Sequence, residues 1–173
     1  MILTSIDLGL ISEHLNIHQD VIRKLKSYYC LAKNPQLQQI IYEQVLIMRN
    51  HADVMLMLMD PERNEEVDVS ALHQLQPIDI PCKQSFSYMN EQNIAFEARN
   101  TAMTMAQDNF NSSLSMNAQN VRNIHLQMAL QQFGLQSRYS DFIESKGWDY
   151  APNASIQEQI HALKSFQQMY YNL

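Results

Sequence analysis

Apolar positions in the first part of the chain recur alternately every three and four residues. Leu8, Ile11, Leu15, His18, Ile22, Leu25, Tyr29 and Ala32 follow this spacing, which puts them on one stripe of an α-helix. Ser5 or Thr4 supplies an N-cap oxygen ahead of it. The helix is predicted to end near Lys33, because Asn34 precedes Pro35 and a residue before proline is driven out of α geometry. Asn34 then caps a second helix that carries Pro35 at its first position, where a missing N–H costs nothing. This helix, Pro35 to about Met59, bears the stripe Leu37, Ile41, Gln44, Met48, His51, Met55 and Leu58, and stops at Asp60-Pro61. A connection this short makes the two helices an antiparallel hairpin over about residues 5–59.

From residue 60 to about 86 the periodicity gives way to charge (Glu62, Arg63, Glu65, Glu66, Asp68) and to Pro61, Pro77 and Pro81, with at most a short turn near Ser70–Leu75. A helix of about 24 residues is roughly 36 Å long, and about 27 extended residues reach up to about 90 Å. The segment can therefore return along the whole bundle and start a third helix parallel to the second.

The third helix, about Ser87 to Ser113, carries Met89, Phe96, Met103, Phe110 and Leu114 at or near seven-residue spacing, with Ala95, Ala98, Ala102 and Ala106 between them. The fourth, about Ala118 to Lys146, has Val121, Ile124, Met128, Leu135, Tyr139 and Phe142 on one stripe. Gly147 suits a left-handed C-cap, and Trp148 with Tyr150 is expected to fold back as an apolar anchor, closing a second hairpin at about 87–147. Ser155-Ile156-Gln157-Glu158 is a capping box for a last short helix, about 155–171, with Ile160, Leu163, Phe166 and Tyr170.

Asn34-Pro35-Gln36-Leu37 and Asn117-Ala118-Gln119-Asn120-Val121 form a weak internal repeat, each between two long helices. Two similar hairpins joined by one long crossover are the connectivity of a ferritin-like four-helix bundle, so the chain is expected to be all-α and a single domain over 1–173.

Composition narrows the functional classes. A charge of -6 without a basic cluster disfavours nucleic acid, which needs concentrated positive charge to displace counterions. The longest purely apolar run, Val54 to Met59, is too short to span a membrane, and the N-terminus lacks the basic and apolar regions of a signal peptide. A soluble protein outside the usual secretory route is expected. Cys30 and Cys82 have neither CxxC spacing nor the density of a disulfide scaffold, so isolated thiols in a reducing compartment are expected rather than a bridge. The eleven methionines suit an adaptable core better than a metal site.

The stretch from Asn117 to Arg122, the long amphipathic helix after it, the closure Lys146-Gly147-Trp148-Asp149-Tyr150-Ala151-Pro152 and the Gln-rich tail together resemble the Coat F family of bacterial spore coat proteins. In that family the helix typically ends in a Lys-Gly-Trp-Tyr-x-Pro-like closure, into which this chain inserts Asp149. The resemblance covers roughly Asn93 to Gln168, and Ala32 to Leu37 in the first hairpin looks like a more diverged copy. It implies a ferritin-like fold, synthesis in the cytoplasm, a place in the endospore coat among other coat proteins, and no established set of catalytic residues.

Ferritin-like di-iron proteins use a Glu from each of two helices and Glu-x-x-His from the other two. Of Glu13, Glu43, Glu91, Glu97 and Glu144, none is followed by His at the third position. His18 and His51 nevertheless fall on inward stripes at nearly equal heights, about 23 to 25 Å from the turn. They are the weak candidates for a metal site holding zinc or copper, and core histidines sharing a hydrogen bond or a water are expected ahead of it. His14, His73, His125 and His161 are assigned to the surface. Gly9, Gly134 and Gly147 lie too far apart for a phosphate-cradling loop or nucleophile elbow, so no acid, base, nucleophile or cofactor is assigned.

The expected function is a non-enzymatic structural or interaction protein of the spore coat. The alternative is a ferritin-like metal-binding or redox protein with a degenerate site near His18 and His51. Apolar surface on the fifth helix and around Trp148 that one bundle does not fully cover makes a homodimer an expectation alongside the monomer.

Overall fold

The structure is a computed structural model and describes residues 1–82 and 89–171. Five α-helices make up most of it: α1 (Ser5–Leu31), α2 (Pro35–Met59), α3 (Glu91–Ser115), α4 (Gln119–Ser145) and α5 (Ile156–Tyr171). Two short 3-10 turns, Asn64–Glu66 and Val69–His73, lie in the crossover. No strand occurs among the described residues. The expected start of the third helix at Ser87 and end of the crossover at residue 86 lie outside them.

The predicted caps form. The Thr4 side chain accepts from the Asp7 amide at 3.1 Å, and Asn34 Oδ1 accepts from the Gln36 and Leu37 amides at 2.9 and 3.4 Å. Gly147 adopts φ +66°, the left-handed conformation glycine enters without a Cβ penalty. The Trp148 ring meets Phe142 edge-on at 5.8 Å, but Tyr150, expected beside it, is 85% exposed. At α5, Ser155 and Glu158 exchange the two reciprocal capping bonds at 2.7 and 3.2 Å.

Two carboxylates fix how the hairpins sit on each other. Glu91, which opens α3, accepts the amides of Lys33 (2.7 Å) and Asn34 in the α1–α2 turn. Asp7, in the first turn of α1, accepts the amides of Asn117 (2.8 Å) and Ala118 (3.2 Å) in the α3–α4 turn. Each hairpin thus caps the turn of the other. This places the start of α3 at the turn end of the first hairpin, parallel to α2, as the crossover length requires. Ala118 has no capping side chain of its own, and the fully buried Asp7 instead takes its amide and that of Asn117, just ahead of α4.

The crossover straps the α2–α4 side. Asn50 and Tyr42 of α2 donate to the carbonyls of Ala71 (3.0 Å) and Ile78 (3.0 Å), and Asn120 and Gln131 of α4 donate to those of Asn64 (2.7 Å) and Leu72 (3.2 Å). Its own Val67, Leu72 and Ile80 are buried in the core clusters. The strap brings Cys82 to Cys30 on α1, with Cα atoms 5.3 Å apart, and the two form a disulfide. This overturns the expectation of isolated thiols. Cysteines 52 residues apart carry no local spacing signal, and only the return path of the crossover joins them.

Burial confirms the α2 and α4 stripes residue by residue. On α1 the buried face is instead Asp7, Ile11, His14, His18, Leu25 and Tyr28, while Leu8 is 43% exposed. On α3 the correction is larger: Met103, Phe110 and Leu114 face outward, and Ile94, Ala95, Ala98, Ala102 and Met105 face in. Small residues let α3 approach α4 closely, and theirs is the most extensive helix–helix contact in the fold. Of the larger side chains set seven apart, Met103 and Phe110 are left on the outer face, while Met89 and Phe96 pack against the edge of the core.

Candidate functional site

The bundle core divides into two apolar clusters. One, around Leu25, Leu37, Ile41, Met48, Ile94 and Tyr139, lies toward the α1–α2 turn. The other, around Ile11, Met55, Leu58, Met116, Val121 and Met128, lies toward the α3–α4 turn. Between them sits a layer of polar side chains from α1, α2 and α4, which also meets α3.

Four imidazoles form most of that layer. His14 and His18, one helical turn apart on α1, have ring centroids 6.1 Å apart. His14 meets His125 of α4 at 5.3 Å, and His18 meets His51 of α2 at 5.8 Å. All four are at most 3% exposed. His18 and His51 face each other as expected, but they share no hydrogen bond. His14 and His125, expected on the surface, are buried: the inner face of α1 is turned toward residues 7, 11, 14 and 18, and that of α4 takes in His125 beside Val121, Ile124 and Met128. The missed signal is the i, i+4 pair His14–His18, which a stripe drawn through Leu8 and Leu15 passes over. His73 and His161 are exposed, as expected.

One nitrogen of each ring is partnered and the other is not. His18 Nδ1 lies 2.7 Å from the His14 carbonyl and His125 Nδ1 2.9 Å from the Val121 carbonyl, so both must donate there and carry no proton on Nε2 when neutral. His51 Nε2 donates to Gln131 Oε1 at 2.7 Å, and the Gln131 amide is oriented by its own bond to the Leu72 carbonyl. His14 Nε2 pairs with Ser112 Oγ of α3 at 2.8 Å. His14 Nδ1, His18 Nε2, His51 Nδ1 and His125 Nε2 are buried without a hydrogen-bond partner.

Burial sets the electrostatics. It lowers the His18 pKa to about 3, reinforced by His51 and opposed by the bond to the His14 carbonyl. His51 and His125 are each lowered to about 4 by burial, opposed by the Gln131 bond and the Val121 carbonyl respectively. His14 is lowered by burial too, against the attraction of Asp108 and Glu13. At neutral pH the layer holds four uncharged rings that resist protonation. Among the described residues no group of three or more His, Cys, Asp or Glu side chains is placed to hold a metal ion. A Glu-x-x-His spacing does occur at Glu158 and His161 of α5, but both are exposed and Glu158 is engaged in the capping box.

Next to the imidazoles, Tyr139 donates to Gln44 Oε1 at 2.8 Å, Gln44 donates to Gln132 Oε1 at 3.2 Å, and Gln132 reaches Met48 Sδ at 3.2 Å. These contacts tie α2 to α4 through groups that have no other partner in the interior. A helix slid by one turn would leave them all unsatisfied, so the layer fixes the register of the bundle.

Together these features define an all-α bundle whose interior is split by a buried, uncharged polar layer. No helix of the described residues is long and apolar enough to cross a membrane. The fold is similar to that of a proposed spore coat protein of Bacillus halodurans, with a TM-score of 0.67 and 12% identity over 90% of this chain and 96% of that one. No family model matches the chain, and no curated protein matches it.

Proposed function

We propose that the chain is a structural or interaction protein of the bacterial endospore coat, related to the Coat F proteins, with ferritin-like connectivity and no catalytic role. The observation that carries this reading is the shared fold with the Bacillus halodurans protein over nearly the full length of both chains. The Lys146-Gly147-Trp148 closure and the paired turns at Asn34 and Asn117 support it. The interior supports it as well: interlocking amides, a disulfide strap and mutually capped turns make a rigid bundle that presents surfaces to coat partners. The test follows a fluorescently tagged copy through sporulation in the encoding organism and fractionates mature spores. Enrichment in the coat fraction, with weakened coat integrity on deletion, is the expected result. A diffuse signal in vegetative cells with no coat recovery would overturn the reading.

A further inference from the structure

The crossover is held unevenly along its length. Its first part, residues 60–74, contains both 3-10 turns and is tied to α2 and α4 by Asn50, Asn120 and Gln131, with Val67, Ala71 and Leu72 buried. Its next part, residues 75–82, has no helical turn and makes no backbone–backbone hydrogen bond among the described residues.

Three ties hold residues 75–82. The Tyr42 hydroxyl donates to the Ile78 carbonyl at 3.0 Å and accepts from the Ile78 amide at 3.2 Å. Ile80 is 8% exposed in the core cluster nearest the α1–α2 turn. The third tie is the Cys30–Cys82 disulfide to α1. Ordering each residue of the segment costs conformational entropy, which one hydroxyl and one buried side chain do not match. The covalent bond to Cys82 removes much of that cost by limiting how far the segment can stray.

None of the contacts that dock the hairpins runs through these residues. Asp7 and Glu91 clamp the turns, and Gln44, Gln132 and Tyr139 tie α2 to α4. The disulfide also meets solvent, with Cys82 exposed and Cys30 half-buried. Exposed disulfides are the ones that exchange with small thiols.

We propose that Cys30–Cys82 is a redox latch on the crossover: a small thiol such as glutathione releases residues 75–82 from α1 and α2 and leaves the bundle of α1–α4 folded. A thiolate attacks Cys82 Sγ and forms a mixed disulfide, while Cys30 leaves as a thiolate and takes up a proton. A second thiolate attacks the small-molecule sulfur of that mixed disulfide, releasing Cys82 as a thiol and the small thiol's own disulfide. The reverse sequence, with that small disulfide as oxidant, shuts the latch. Opening frees Ile80 and Tyr42 for other contacts, so the state of the latch sets which surface the protein presents. This does not rest on the coat reading, and a failed coat localisation leaves it standing.

The experiment treats the full chain, oxidised or equilibrated with reduced glutathione, with a protease that cuts before aspartate, and maps the cuts by mass spectrometry. Asp79 lies between Ile78 and Ile80, and Asp68 in the firmly tied part of the crossover. Reduction is expected to speed cleavage before Asp79 about tenfold relative to cleavage before Asp68, with the helical circular dichroism unchanged. Cys30→Ser with Cys82→Ser gives the same open pattern without thiol, and oxidised glutathione returns the wild type to the closed one. Equal acceleration before Asp79 and Asp68, or loss of helicity, marks a staple of the whole fold and overturns the proposal. Cleavage before Asp79 that ignores both reduction and the double variant, or a change that oxidised glutathione does not reverse, overturns it equally.

Discussion

Acidification from about pH 7.5 to pH 5 should destabilise this fold well before its carboxylates begin to protonate. In the unfolded chain His18, His51 and His125 titrate near 6.5, and in the fold near 3, 4 and 4. Folded values below the unfolded ones mean that the unfolded state binds more protons throughout the interval. Stability is therefore complete above about pH 7.5 and falls as the pH drops through 6.5 toward the folded values. At pH 5 each of these three rings withdraws about 2 kcal/mol, roughly 6 kcal/mol together, a large part of the stability of a typical domain. His14 acts in the same direction. Asp108, Glu13 and Asp7 are the charges that favour protonated His14 or His125, and burial outweighs them. Glu43, held low chiefly by Arg138, loses stability only below its ordinary value of 4.5 and stays out of this window. For a chain of this size about 1 kcal/mol moves the melting temperature by roughly 2–4 °C, so a fall of about 12–24 °C is expected in thermal melts followed by circular dichroism. His18→Leu with His51→Leu should reduce the fall to about a third, whatever it does to the melting point at pH 7.5. A wild type whose melting temperature moves by less than about 5 °C, or a double variant that keeps the full fall, would refute the reasoning.

Three further outcomes follow from the same structure. Asp7→Ala removes a buried carboxylate that takes two turn amides and should cost about 2–3 kcal/mol in urea unfolding, well above the change from Glu91→Gln at the less buried turn. Reducing Cys30–Cys82, which closes a loop with a sequence separation of 52, should lower stability by roughly 4 kcal/mol in the chain-entropy account, and a thiol reagent should label neither cysteine before reduction. Protein purified without an affinity tag should contain far less than one transition-metal ion per chain by elemental analysis, with no change in the His18→Leu, His51→Leu variant. Stoichiometric metal lost in that variant would favour the metal-binding alternative.

Where neighbours in sequence are neighbours in space, the chain was legible. Pro35 and Pro61 bracket α2, the Ser155–Glu158 box opens α5, and Gly147 ends α4, because each acts on backbone groups within a turn of itself. The stripes on α2 and α4 read correctly because their apolar residues are large and face one way. The equal heights of His18 and His51 followed from counting helical rise back and forward from the turn at Lys33-Asn34.

Tertiary structure decided what depends on which helix lies opposite. Periodicity alone could not tell the inner face of α3 from the outer, since alanines and large residues both recur along it. Close approach to α4 chose the alanines. The same ambiguity on α1 hid His14, and with it the meeting of four imidazoles from three helices. The path of the crossover alone joined Cys30 to Cys82, and docking of the two hairpins turned Asp7 and Glu91 from ordinary first-turn acids into caps for distant turns. Caps and stripes are short-range consequences of backbone geometry. Partners far apart in sequence are chosen by how the rods pack, and single-chain patterns carry no signal for that choice.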